Sequence, residues 1–151
     1  NIIFFNKLNQ NYILSKLQEF NIPKENFSVL SSEFKDLPGL LSKVDVGCFY
    51  AKECFSIKAS MPTKIGEFLG CGKPVMCNSI NKDVNKLFSD GQIGLLVDFT
   101  KELDYLKIMN SLNKLKTRSS RSINCRNVAE DIFSLEKGAV IYSQIYNRLF
   151  S

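Results

Sequence analysis

Short apolar runs rich in β-branched and aromatic residues recur at 2–5, 27–30, 44–50, 75–77 and 94–97, and each is followed by a segment of helical spacing. Runs that stay apolar on successive positions, instead of alternating with polar ones, belong to strands covered on both faces. The expected architecture is therefore α/β: a Rossmann-like parallel sheet flanked by helical crossovers. In the first crossover Tyr12, Ile13, Lys16, Leu17 and Phe20 share one stripe, and Pro23 is expected to stop the helix. Leu37-Pro38-Gly39-Leu40-Leu41 reads as a short helix before the third strand. Residues 62–71 form a helix signed at both ends, with Pro62 in the first turn and Gly72 ahead of Lys73-Pro74. After Asp98 the pattern is helical throughout, over about 101–116, 119–133 and 135–150. In the last of these Leu135, Ala139, Tyr142, Ile145, Tyr146 and Leu149 make a stripe suited to core packing.

On a helical wheel of 62–71, Ile65, Phe68 and Leu69 form the core-facing side, and Thr63, Gly66, Glu67 and Gly70 line the other. A glycine inside a helix costs roughly 1 kcal/mol relative to alanine, so two on one face imply close approach by something. That something is another backbone, or a ligand lying along the helix beside the Glu67 carboxylate, which accepts hydrogen bonds from hydroxyls. The helix start follows the loop after the third strand, at the carboxyl edge where open α/β sheets bind ligands. Its unpaired N–H groups make an anion site, to which Thr63, Lys64 and the loop residue Lys58 add a hydroxyl and positive charge. A phosphate at the helix start with a polyol along the small face describes a sugar nucleotide.

Composition narrows the chemistry further. At 151 residues, 44% hydrophobic and 23% charged, the chain has the profile of one ordinary soluble globular domain. It has no histidine, which removes Ser-His-Asp and Cys-His catalysis and histidine metal sites. Cys48, Cys54, Cys71, Cys77 and Cys125 form no CxxC pair and read as small packing residues of a reducing, cytosolic setting. No Gly-x-Gly-x-x-Gly follows the first strand, no P-loop is present, and no Asp-x-Asp stands at a strand end to bridge a divalent ion to a diphosphate. A metal is therefore not expected.

The net charge is +5, and Lys114, Lys116, Arg118, Arg121 and Arg126 occur between 114 and 126 with no acid among them. Without interleaved aromatics this basic pole does not suit nucleic acid. A solvated helical face, or contact with an anionic membrane surface or with a neighbouring domain carrying acidic patches, accounts for it. No run approaches the ~18 apolar residues of a membrane span. The expected location is cytoplasmic, with peripheral contact at the inner face of the membrane through 114–126. The chain opens on Asn1 and almost at once on an apolar run, which reads as a piece of a longer protein.

The run Ala59-Ser60-Met61-Pro62-Thr63-Lys64-Ile65-Gly66-Glu67-Phe68-Leu69-Gly70-Cys71-Gly72-Lys73-Pro74-Val75, then Asn78, Asp83 and Val97, resembles the nucleotide-binding C-terminal half of group 1 glycosyltransferases. The likeness extends through Lys43-Val44-Asp45-Val46-Gly47 and into Phe133-Ser134-Leu135-Glu136 with Tyr142, Ile145 and Tyr146. The resemblance implies the C-terminal half of a GT-B fold, in which residues 1–151 form a single nucleotide-sugar-binding domain. Its α/β core is about 1–98 and its helical C-terminal extension about 99–151. It further implies retaining, metal-independent hexosyl transfer from a UDP-sugar or GDP-sugar, with no cofactor and with an N-terminal acceptor domain in the same protein. Carried over by position, Glu67 matches the second glutamate of the family's Glu-x(7)-Glu motif, which binds the donor ribose. Thr63 and Lys64 match the helix start that meets the diphosphate. The first glutamate of that motif is replaced by Ala59. The order Ser60-x-Pro62-x-Lys64 is similar to transferases that build surface polysaccharides or lipopolysaccharide.

In this alignment the family's first strand and helix are expected to precede residue 1, which leaves a place of two strand spacings, ~9.6 Å, for the remaining strands to close or another chain to fill, unless Ile2–Phe5 aligns with a different strand. The donor-binding residues expected are Lys58, Ser60, Thr63, Lys64 and Glu67. The competing reading is a non-catalytic interaction module, receiver-like or docking. A receiver would need acids at the end of the first strand, where Asn6 and Lys7 stand.

Overall fold

The computed structural model describes residues 1–5, 9–89, 92–117 and 120–150, so that Asn6, Lys7 and Arg118 lie outside the described residues. The five apolar runs become strands of three or four residues, and hydrogen bonding divides them into two parallel sheets, of two strands and of three. Contacts likewise fall into two units, Asn1–Leu40 and Leu41–Ser151.

In the first unit β1 (Ile2–Phe5) pairs in parallel with β2 (Phe27–Leu30), Ile2 opposite Phe27 and Phe5 opposite Leu30. The crossover carries α1 (Gln10–Glu19). Its buried face is narrower than the predicted stripe: Leu17 is buried and Ile13 and Lys16 half-buried, while Tyr12 and Phe20 are exposed. Two strands offer α1 little to cover, and Phe20 lies past the last helical residue. The helix also ends earlier than Pro23 requires, because Asn21 takes a left-handed φ of 52°, a conformation asparagine tolerates. A short α2 (Leu37–Leu41) follows.

The second unit holds β3 (Gly47–Phe49), β4 (Val75–Cys77) and β5 (Gly94–Leu96), parallel and in that order. Between β3 and β4 runs α3 (Thr63–Gly70), and between β4 and β5 runs α4 (Lys82–Leu87). Three helices follow: α5 (Tyr105–Thr117), α6 (Arg121–Ile132) and α7 (Leu135–Phe150). The helix expected from 101 begins at Tyr105 because two aspartates build turns ahead of it. Asp98 accepts from the Thr100 amide and hydroxyl at 3.1 and 2.6 Å, and Asp104 caps α5 by accepting the Lys107 N–H at 2.9 Å. The Thr100 hydroxyl, then Lys101, hold the Asp98 carboxyl down at about 2.

The core gathers where α3, β4, α4 and α6 meet. Ile65 and Leu69 of α3 are fully buried with Val75 and Cys77 of β4, Val84 of α4, Ile93 and Cys125. Burying an aliphatic side chain of this size stabilises by about 1.5–3 kcal/mol. At its far end α3 closes as a Schellman motif, with Gly72 N–H donating to Leu69 O at 2.8 Å and Lys73 N–H to Phe68 O at 2.9 Å. Gly72 supplies the required positive φ of 68°.

Two expectations about packing are corrected. All six residues of the α7 stripe are exposed, and α7 contributes no buried residue. Spacing gave α7 an apolar face, but the described residues of the unit set nothing against it. Of the five cysteines, Cys77 and Cys125 are buried, Cys71 is half-buried, and Cys48 and Cys54 are exposed; all are free thiols. Cys54 stands in a loop and Cys48 alternates out of the face on which Gly47 and Phe49 pack. Among the described residues no helix is long and apolar enough to cross a membrane.

Candidate functional site

The loop 50–62 carries the chain from β3 to α3, and two asparagines beyond β4 tie it down. Asn78 clamps Ala51 at both backbone groups, accepting its N–H at 2.9 Å and donating to its carbonyl at 2.9 Å. Asn81 caps α4 by accepting the Val84 N–H at 2.9 Å and uses its amide nitrogen to hold the Ser60 carbonyl at 2.8 Å. The loop thus enters α3 at Pro62 with both ends fixed. Pro62 is the residue before the first helical one rather than part of the first turn.

With Ile65 and Leu69 turned into the core, the opposite face of α3 opens on a groove of about 400 Å³. Thr63, Gly66, Glu67 and Gly70 line one wall, and Ala129, Glu130, Phe133, Ser134 and Glu136 of the α6–α7 segment line the other. The two glycines do different things. A Cβ on Gly66 would come within 2.6 Å of Phe133 Cδ1, so Gly66 is there to admit that ring. At Gly70 a Cβ would meet nothing within 4 Å, and the helix surface there is open. Close approach by the chain's own polypeptide therefore accounts for the first glycine and leaves the second unexplained by packing.

The groove is acidic. Glu67, half-buried, faces it from α3, with Glu130 and Glu136 across from it, and no lysine or arginine is among the lining residues. Glu136 is bound by the Ser134 hydroxyl at 2.9 Å; its own backbone N–H, then Ser134, lower its pKa below the ordinary carboxylate value. Among the described residues no set of three metal-ligating side chains is close enough to hold an ion. Hydroxyls at Thr63 and Ser134, carboxylate acceptors and the Phe133 ring make a surface for a neutral, hydroxyl-rich ring, and they repel a polyanion from the groove itself.

Of the five residues expected to bind a donor, Thr63 and Glu67 line the groove and the other three do not. Lys58 is ion-paired with Glu53 at 3.4 Å, both side chains being largely exposed. The Ser60 hydroxyl donates to the Ile57 carbonyl at 3.2 Å. Lys64 is exposed at the start of α3, with no ion-pair partner among the described residues. Sequence reasoning missed the second wall. Phe133, Ser134 and Glu136 stood in the run that carries the family likeness, but nothing in helical spacing says that the α6–α7 turn lies against Gly66. Asn81 was missed too, although an asparagine just before a short helix is a cap signal.

No protein-family model matches the chain, and no curated protein is similar to it in sequence. Among solved structures it is similar to a chain in the crystal structure of the GtfA/B complex, with a TM-score of 0.66 at 15% identity. The match takes in 97% of this chain and 29% of that one. At that identity the likeness is one of fold: parallel sheets flanked by helices with a helical C-terminal extension, consistent with a GT-B Rossmann-like half.

Proposed function

We propose that the chain is the donor-binding half of a retaining, metal-independent glycosyltransferase of the group 1 type. It would take a UDP-sugar or GDP-sugar and serve surface polysaccharide or lipopolysaccharide synthesis together with an N-terminal acceptor domain. The observation that carries this reading is the open groove along α3, with Glu67 set between the helix start at Thr63 and the uncovered Gly70. Glu67 accepts hydrogen bonds from the ribose hydroxyls. The groove's acidity sends the diphosphate out of it toward the start of α3, where free N–H groups, Thr63 and Lys64 stabilise the leaving group as its charge develops. Lys58 joins them when it exchanges Glu53 for phosphate, and Ser60 sets the loop that delivers the helix. By itself the chain is inactive, since the acceptor site lies elsewhere.

The test is calorimetric titration with UDP, GDP and their sugars, comparing the native chain with Glu67→Ala. Loss of hydrogen bonds to a charged group, about 1.5–3 kcal/mol, weakens binding roughly 10- to 100-fold. Equal affinities in the two proteins would remove the assignment. The uncovered face of α7 favours a second reading, a non-catalytic docking module, which predicts partner binding with no response to any nucleotide.

A further inference from the structure

At the amino-terminal edge of the three-stranded sheet, basic side chains converge on one carboxylate. Asp45 stands two residues before β3, and Lys116 Nζ, near the end of α5, reaches its Oδ2 at 2.7 Å. Arg121, the first residue of α6, donates from Nη1 to the Lys116 carbonyl at 2.9 Å. Its Nε is buried with no hydrogen-bond partner. Lys73, two residues before β4, donates to the Ser42 carbonyl at 2.7 Å. Gly72 and Ser122 touch so closely that a Cβ on Gly72 would collide with the Ser122 hydroxyl, which brings the first turn of α6 against the turn that carries Lys73. Exposed Lys43 flanks this edge, and exposed Arg126 lies one turn beyond Ser122 on the same face of α6.

These charges have no part in the groove, whose lining is acidic. An exposed ion pair such as Lys116–Asp45 has little internal value, and Asp45 cancels one positive charge among several. Between the cations of α6, Cys125 is turned into the core, Ser122 and Asn124 are small and polar, and Ile123 is 61% exposed. With no aromatic in 114–126 there is nothing on which a nucleobase would stack. An exposed aliphatic side chain set among lysines and arginines, whose long stems let the heads spread, matches a plane of anionic headgroups.

We infer that this edge docks the protein on an anionic bilayer surface. Charge complementarity is what selects the occupant, and each lysine or arginine near such a surface contributes about fivefold to partitioning. The experiment is co-sedimentation of the 151-residue chain with phosphatidylcholine vesicles, with and without phosphatidylglycerol. Binding is expected only with phosphatidylglycerol and declines as salt rises. Replacing two exposed cations, Lys43→Gln with Arg126→Gln, lowers partitioning about 25-fold, and Asp45→Asn raises it about fivefold. Gain of binding on removal of a surface acid is a result that a merely structural role for the cluster does not produce. Circular dichroism checks that each variant is folded. Equal binding to both kinds of vesicle, or a double variant that binds like the native chain, overturns the proposal. So does binding to polyglutamate without binding to anionic vesicles, which would mark an acidic protein partner. Displacement by inorganic phosphate at an ionic strength where chloride has no effect would mark a discrete phosphate pocket and would also overturn it. Glu67→Ala binds vesicles like the native chain, so failure here and failure of the donor assignment are separate results.

Discussion

Helices α3 and α7 are written with the same kind of apolar spacing and meet different fates. In α3 the stripe disappears: Ile65 and Leu69 are fully buried between the sheet and α6. In α7, twice as long, Leu135, Tyr142, Ile145, Tyr146 and Leu149 all remain exposed. The difference is connectivity. A helix that links two parallel strands must lie back across the sheet it joins, whereas a helix after the last strand covers whatever is presented to it. Amphipathic spacing says that a face seeks cover and does not say what covers it.

The largest expected contrast follows from that difference. Leu69→Ala opens a cavity in the middle of the core and is expected to cost about 2–5 kcal/mol of unfolding free energy. Leu149→Ala, at a side chain 70% exposed, is expected to stay within about 0.5 kcal/mol. Urea denaturation of both variants measures the two numbers. A comparable loss at Leu149 would mean that α7 belongs to the core after all.

A second contrast lies within α3. Gly66→Ala forces its new methyl into the base of the Phe133 ring, against Cγ at 2.7 Å and Cβ at 3.1 Å, neither of which is a free chain end. It is expected to cost about 1–3 kcal/mol, as overpacking does. Gly70→Ala meets open space and gains up to about 1 kcal/mol from helix propensity. The two substitutions therefore have opposite signs in thermal denaturation. Both line the groove, however, so both are expected to weaken nucleotide-sugar binding: the first by moving Phe133, the second by filling the groove. A Gly70→Ala chain that is more stable and binds nucleotide sugar as well as the native one would show that the ligand does not lie along the small face.

Much of this was legible from residue pattern. The strands at Ile2–Phe5, Phe27–Leu30 and Val75–Cys77 coincide with the apolar runs, and α7 spans the predicted helix end to end. The wheel of 62–71 separated Ile65 and Leu69 from Thr63, Gly66, Glu67 and Gly70, and the groove follows that division. Illegible parts were those set by contacts distant in sequence. The run 44–50 shortened to Gly47–Phe49 because only those residues find a ladder partner in β4. The second wall of the groove depends on a turn some seventy residues away in the chain. The split of five strands into two sheets is a matter of hydrogen-bond partners, which a list of apolar runs does not contain.

The smallest effect, and the most specific to single residues, belongs to the thiols, where core and surface are again set against each other. Burial pushes Cys77 up to about 12 and Cys125 up to about 11. At exposed Cys54 the Ser56 hydroxyl, followed by the Ile57 backbone, lowers the thiol below its ordinary value. Thiolate is the nucleophile, so iodoacetamide at mildly alkaline pH is expected to modify Cys54 first and to reach Cys77 and Cys125 only through unfolding. The same shifts make stability depend on pH. A buried thiol whose pKa lies above its unfolded value of 9.0 keeps its full contribution below that pH. The contribution is lost as pH rises from there toward 11 and 12, because the unfolded chain gives up its protons first. Native chain should therefore lose stability progressively across that window, and Cys77→Ala, though less stable at neutral pH, should lose less of its stability on crossing it. Urea midpoints measured on either side of the window test this, and parallel pH profiles for the two proteins would place the Cys77 sulfur in contact with water.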